Sequence, residues 1–287
     1  MNKLYESYIK TDSLPTLFCP GCGNGIVQIA AARAIESLGC RRETACVSGI
    51  GCSSWIPCYY KLDVMHTLHG RALAFATGLK LASPDKNIIV FTGDGDCLAI
   101  GGNHFLHACA RNIDITVVMV NNYIYGMTGG QKSPTTPLKA VTKTSPFGSV
   151  DKPMDGCALA MTLGASYVAR WTTAHPVQLE RAIAQGVKHK GFSFIEVLSQ
   201  CPVQAGGNIH GTKDAATILE KYRTGTYLWK PAMAKTGSPE AAEADTFEAQ
   251  GKTKIGLFKN DEEIEEYIAK VEEKLADKGI ERPEMEK

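Results

Sequence analysis

The sequence predicts an α/β protein built on a doubly wound, mostly parallel sheet. Compact apolar runs such as ITVVMVN lack the polar alternation of half-exposed strands, so they fit strands covered on both faces. These runs alternate with helix-length segments, the order expected of parallel strands joined by crossover helices. With 287 residues and 44% hydrophobic content, the chain can bury a large core without staples.

In chain order, a helix over Asn24–Leu38 precedes a strand at Thr44–Ser48. A helix at Arg71–Ala82 then leads to a strand at Asn87–Thr92, and a helix at Gly102–Arg111 to a strand at Ile115–Asn121. Helices at Met154–Leu163 and His175–Lys188 flank strands at Ser166–Arg170 and Ser193–Leu198. Between Tyr123 and Pro153 the composition turns to Gly, Ser, Thr and Pro, a long loop of the kind that carries function in compact domains. Pro231–Lys254 reads as a linker or extended arm. After it, Asn260 and Glu263 form a capping-box-like start to a helix with Ile264, Tyr267, Ile268, Val271 and Leu275 on one face. That helix suits docking on its own domain or on a partner. The expected division is a main domain over 1–230 and a C-terminal arm and helix over 231–287.

Lys and Arg number 31 against 30 Asp and Glu, so no broad basic face speaks for nucleic acid. The opening MNKLYESYIK lacks a signal peptide's apolar stretch and no run reaches membrane-spanning length, which places the chain in the cytoplasm. Ten cysteines in such a setting point to metal ligation more than to disulfides. Cys40, Cys46, Cys109 and Cys157 lie in apolar or helical surroundings and read as small buried hydrophobes, and Cys97 as a packing residue.

Gly93-Asp94-Gly95 ends a buried strand just before a helix, where open α/β sheets collect ligands. The glycines let backbone approach a phosphate, and Asp94 offers a hard oxygen to a divalent cation. Asn121-Asn122 end the next strand, 28 positions beyond Asp94, a distance that one helical crossover spans. Asp94 and Asn122 can then converge on one magnesium, with phosphate oxygens and a main-chain carbonyl completing an octahedron. A dinucleotide fingerprint is a poorer match, because GCGNGI follows no strand.

Cys19 and Cys22 in CPGCG bring two thiols to one turn, while Cys52 and Cys201 stand after the first and last predicted strands. Four thiolates gathered this way fit a [4Fe-4S] cluster or a structural zinc, and ligand count alone does not separate the two.

The Asp94–Asn122 spacing resembles the thiamine-diphosphate signature. CPGCG, GIGCSSW, HGRALAFATGLK, GDGD, IGGNH, NNYIYGMTGGQKSPTTP and QCP also stand in the order found in β subunits of 2-oxoacid:ferredoxin oxidoreductases, and the likeness spans about Leu17 to Val203. The resemblance implies a thiamine-diphosphate-binding fold. It implies Cys19, Cys22, Cys52 and Cys201 as ligands of a [4Fe-4S] cluster, with Asp94, Asn122 and the carbonyl of Ile124 on Mg2+. Cys52, Ser53, His69, Gly93, Asp94, Gly95, Asp96, Asn122, Ile124, Gly126, Met127 and Thr128 would contact the cofactor, with His69, His104, Thr128 and Gln131 nearest the chemistry.

The implied reaction is coenzyme A-dependent, reversible oxidative decarboxylation of 2-oxoglutarate to succinyl-CoA, with ferredoxin receiving the electrons. Pyruvate or a branched-chain 2-oxoacid is the alternative substrate. A non-redox thiamine lyase and a non-catalytic zinc module are the competing classes. Arg71, Lys61 and Lys132 are candidate partners for a distal carboxylate. Only one thiamine-type domain is visible, so a larger α subunit is expected to supply the activating Glu and part of the substrate and coenzyme A pocket. A dimer of αβ units is a further implication.

Overall fold

The structure is a computed structural model and describes residues 3–280. Its elements in chain order are α1 (Lys3–Tyr8), α2 (Asn24–Leu38), β1 (Thr44–Ser48), β2 (Asp63–His66), α3 (Ala72–Ala82), β3 (Asn87–Gly93), α4 (Gly102–Arg111), β4 (Thr116–Asn121), β5 (Ile124–Tyr125), β6 (Gln131–Lys132), α5 (Gly156–Thr162), β7 (Tyr167–Thr172), α6 (Pro176–Lys188), β8 (Ser193–Leu198), α7 (Ala215–Thr224), β9 (Thr226–Leu228), α8 (Pro239–Ala249), β10 (Thr253–Asn260) and α9 (Tyr267–Ala276).

Eight strands form one sheet in the order β2-β1-β3-β4-β8-β7-β10-β9. The first six run parallel, β10 is antiparallel to β7, and β9 is parallel to β10. Successive strand residues feed opposite cores, as a doubly covered sheet demands. Cys46, Ile89, Phe91, Val118, Val120, Ile195 and Val197 meet α2 and α6 on one face. Ala45, Val47, Ile88, Val90, Val117, Met119 and Phe194 meet α3, α4 and α5 on the other. The chain leaves β1 outward to β2 and re-enters on the far side of β1 as β3, so the loops after β1 and β3 diverge. That reversal opens a crevice at the C-terminal edge of the sheet.

Three expectations change. The stretch expected as a linker carries α8 and leads into β10, and β10 pairs with β7 on one side and β9 on the other. The boundary at residue 230 is therefore no break in the sheet. The capping box at Asn260 and Glu263 is replaced as well. Asn260 lies in β10 opposite Tyr167, and α9 starts at Glu266, whose carboxylate accepts from the N–H groups of Ile268 and Ala269 at 2.8 and 3.0 Å. Its other oxygen accepts from Asp114 N, and Asn112 Nδ2 donates to the carbonyls of Ile264 and Glu265. The helix is thus docked on its own domain. Cys46, Cys97, Cys109 and Cys157 are buried as packing residues, and Cys40 is half-buried against the core. Among the described residues, no helix is long and apolar enough to cross a membrane.

Phe194 is fully buried, with the Phe105 ring 5.2 Å away, centroid to centroid. Phe194→Ala is expected to cost about 3–5 kcal/mol, read as a lower urea midpoint at unchanged slope.

Candidate active site

The C-terminal ends of β1, β3 and β4 and the hairpin β5–β6 enclose one cavity. Twelve residues that the sequence singles out line it: Cys52, Ser53, His69, Gly93, Asp94, Gly95, Asp96, Asn122, Ile124, Gly126, Met127 and Thr128. Asn24, Ile50, Gly51, Val120 and Tyr125 line it as well and were not expected. Tyr125 is held by a close fit. Its ring lies where a side chain on Gly95 would project, with a Cβ there only 2.2 Å from the ring.

Asp94 is buried, and its Oδ2 accepts from Ser133 Oγ at 2.5 Å and Thr135 Oγ1 at 2.6 Å. Both hydroxyls land on the same oxygen. Burial pushes its pKa up to about 6, against the pull of these donors. Asn122 Oδ1 accepts from Ile124 N at 3.1 Å, which folds the turn so that amide oxygen and Ile124 both reach the cavity.

Asp96 acts as a clamp. Its Oδ1 accepts from Ile50 N, His69 Nδ1 and Gly70 N, at 3.2, 2.7 and 2.6 Å, and its Oδ2 accepts from Thr92 Oγ1 at 2.7 Å. One carboxylate therefore ties the loops after β1 and β2 to β3. Because the carboxylate only accepts, His69 carries its proton on Nδ1 and Nε2 is the nitrogen left to meet a ligand. Gly49 makes the clamp possible, since a Cβ there would stand 2.2 Å from Asp96 Oδ2.

Beside this cavity lies a second concavity lined by Cys19, Cys22, Cys52 and Cys201. Gly23 N donates to Gln200 O at 3.1 Å, joining the CPGCG turn to the loop after β8. Gly126 sits where the two concavities meet. A Cβ there would lie 3.5 Å from Cys52 Sγ, 3.7 Å from Cys201 Sγ and 3.6 Å from Asn122 Nδ2. Burial, then the charge of neighbouring cysteines, pushes Cys22 up to about 12 and Cys52 to about 11. Cys19 is exposed and the other three are half-buried, and with their pKa values raised the thiols stay protonated unless a cation is bound among them.

A family profile described as thiamine pyrophosphate enzyme, C-terminal TPP binding domain, matches residues 28–197. The chain is 51% identical over 271 residues to 2-oxoglutarate synthase subunit KorB of Methanocaldococcus jannaschii, covering 93% of this chain and 97% of that one. It is 38% identical over 264 residues to the 2-oxoacid:ferredoxin oxidoreductase β subunit of Saccharolobus solfataricus, with 90% and 86% covered. The chain is a 2-oxoacid:ferredoxin oxidoreductase β subunit. Among solved structures, it resembles 2-oxoglutarate:ferredoxin oxidoreductase from Magnetococcus marinus with 2-oxoglutarate, coenzyme A and succinyl-CoA bound. That match has a TM-score of 0.81 and 33% identity, with 96% of this chain and 91% of that one covered.

Two expected residues of this β subunit stand elsewhere. His104 does not line the cavity; it lies on α4 near Arg71 and His107, which together with burial lower its pKa. Gln131 is also outside the lining, and instead braces the hairpin by accepting from Thr128 Oγ1 at 2.6 Å and donating to Thr128 O at 2.9 Å. None of the candidate cations reaches the cavity either. Arg71 donates to the carbonyls of Ile100 and Gly70, Lys61 to that of Glu6, and Lys132 pairs with Asp151.

His210, on the segment after Cys201, packs between the rings of Tyr123 and Tyr222, and its Nε2 is buried without a hydrogen-bond partner. Burial, then the Lys221 charge, lowers its pKa to about 4. Unfolded, the imidazole titrates near ~6.5, so between these values only the unfolded chain takes the extra proton. Stability from this group is complete above the unfolded value and is lost as pH falls toward the folded one. Urea midpoints at pH 7.5 and pH 5 are expected to differ more in the parent than in His210→Phe; equal differences would reject the assignment.

Proposed function

We propose that this β subunit carries half of the active site of a coenzyme A-dependent 2-oxoglutarate:ferredoxin oxidoreductase, converting 2-oxoglutarate to succinyl-CoA and CO2. The observation that carries the proposal is the shared wall at Gly126, with Asn122 on one side and the thiols of Cys52 and Cys201 on the other. A simple decarboxylase has no use for an electron acceptor at that position.

When bound, Mg2+-thiamine diphosphate supplies the nucleophilic carbon and electron sink for decarboxylation, and a [4Fe-4S] cluster supplies one-electron transfer. Asp94, Asn122 and the Ile124 carbonyl are the hard-oxygen set suited to Mg2+. Their neighbour Gly93 leaves room for the diphosphate, with only Ser53 Oγ within 4 Å of where a Cβ would stand. His69, oriented through Nδ1 by Asp96, presents Nε2 to the cofactor or substrate. Thr128, braced by Gln131, edges the same cavity.

The thiols favour a cluster over zinc. Tetrahedral zinc needs sulfurs about 3.8 Å apart, given Zn–S bonds near 2.3 Å. Among the described residues no three of these sulfurs lie within 4.8 Å of one another, and relatives named for ferredoxin call for a one-electron carrier, which zinc is not.

Among the described residues, no Glu, Lys or Arg lines the cavity. The carboxylate that activates the aminopyrimidine and the cation that meets the distal carboxylate of 2-oxoglutarate therefore come from a larger α subunit. Phe147 is fully exposed and Val150 is nearly so, apolar surface of the kind a partner covers. The relatives named for 2-oxoglutarate support this substrate over pyruvate.

The chain co-purified with its larger partner is expected to be brown, and to reduce a viologen with 2-oxoglutarate and coenzyme A. A colourless, zinc-loaded protein or a preference for pyruvate would contradict the reading. Asp94→Asn is expected to lower kcat/KM at least ~100-fold through lost metal binding. Cys52→Ala should abolish viologen reduction while thiamine diphosphate still binds.

A further inference from the structure

Behind the cavity, a row of buried polar side chains runs across three strands. Arg170 on β7 stands opposite Glu196 on β8, and its Nε donates to Glu196 Oε2 at 2.6 Å. Its Nη2 donates to Asp155 Oδ1 at 2.5 Å, and its guanidinium lies 5.6 Å from the Phe258 ring on β10. With that guanidinium between the two carboxylates, the Asp155–Cys157–Glu196 group is an ion pair and not a metal site. The second Glu196 oxygen, Oε1, accepts from Asn121 Nδ2 at 2.7 Å. An acceptor there fixes the amide, so Asn121 Oδ1 must face the other way.

Asn121 Oδ1 meets two groups. Tyr123 N donates to it at 3.1 Å, holding Tyr123 at φ +67°, a left-handed conformation that an aromatic residue seldom adopts. Thr135 Oγ1 lies 2.8 Å from the same oxygen and 2.6 Å from Asp94 Oδ2. A hydroxyl has one proton, and Thr135 shares it between the charged Asp94 Oδ2 and Asn121 Oδ1 as a three-centre bond, while Tyr123 N gives Asn121 a second donor. Asn121 thus touches both loops that bear the expected metal ligands. One is the turn leading to Asn122 and Ile124; the other, through Thr135, is Asp94. Asp94, Asn121, Thr135, Arg170 and Glu196 are all at most 6% exposed, and all but Asp94 stand in the wall of a cavity, so each link is made at the buried margin of solvent.

We propose that Thr135, Asn121 and the Glu196–Arg170 pair are positioning residues, a relay that sets Asp94 and the Asn122–Ile124 turn in register for one divalent cation. The inference rests on the functional reading above, since it presumes that Mg2+-thiamine diphosphate binds at Asp94. Outer-shell partners of metal carboxylates are commonly worth about 10–100-fold in metal affinity. The relay ends at β10, so the added strand buttresses the site from the sheet's far side.

The test uses the full chain co-purified with its larger partner and titrates Mg2+ at fixed thiamine diphosphate, following intrinsic tryptophan fluorescence. Thr135→Val keeps shape and removes the hydroxyl. It is expected to raise the half-saturating Mg2+ concentration about 10-fold or more, with far-ultraviolet circular dichroism and cluster absorbance unchanged. Thr135→Ser should restore the parent value to within about 3-fold, as an outer-shell hydroxyl would. Glu196→Gln, which lies outside the cavity lining, should shift the Mg2+ requirement in the same direction, and it decides the matter if the Val variant unfolds. A parent that binds while Val and Gln variants match it overturns the relay alone, as does a Ser variant as weak as Val. A parent showing no Mg2+-dependent uptake overturns the functional reading and the relay together.

Discussion

A carboxylate shut away from water at the end of a strand must be compensated, and the burial of Asp94 organises much of this molecule. Two hydroxyls from the long loop, Ser133 and Thr135, close on its Oδ2, and they are what draws that loop back over the edge of the sheet. Neutral donors alone leave the acid with a raised pKa of about 6, a deficit that the divalent cation of the proposed enzyme would make good. The site is built to be finished by its ligand.

The second constraint is lateral. The loops after β1 and β8 and the turn before α2 converge because parallel strands deliver all their C-terminal ends to one edge. Cys52, Cys201 and the Cys19–Cys22 pair ride on those connections. Cys52, Asn122, Gly126 and Met127 line both concavities, and the missing side chain of Gly126 keeps that shared wall thin. In the proposed enzyme, electrons released at the cofactor then have only that shared wall to cross.

The sequence told most where burial is two-sided. Thr44–Ser48 and Ser193–Leu198 were read at their observed bounds, because each strand is buried along its whole length and no polar alternation confuses the pattern. The strands β2 and β10 escape that reading for the converse reason. Asp63–His66 is largely exposed, and Thr253–Asn260 sits among Ala- and Glu-rich residues that resemble a linker. At the site, Asp94 and Asn122 were legible through residue type and spacing. Tyr125, Asn121, Thr135 and Glu196 were not, because their roles come from contacts across strands and loops that no local pattern encodes. His104 and Gln131 stand outside the cavity lining. Proximity in sequence to a cofactor motif placed them at the cavity, while a helix face and a hairpin turn set them outside it.

The central claim is that one edge of one sheet holds a metal-diphosphate site and a cluster site sharing a wall. The most direct measurement is electron paramagnetic resonance of the complex with Mn2+ in place of Mg2+, thiamine diphosphate added and the cluster reduced. Two paramagnets separated by little more than Gly126 are predicted to broaden each other's spectra and to speed relaxation of the cluster signal, relative to the Mg2+-loaded sample. Spectra that superpose on the sum of the two separate centres would contradict the account.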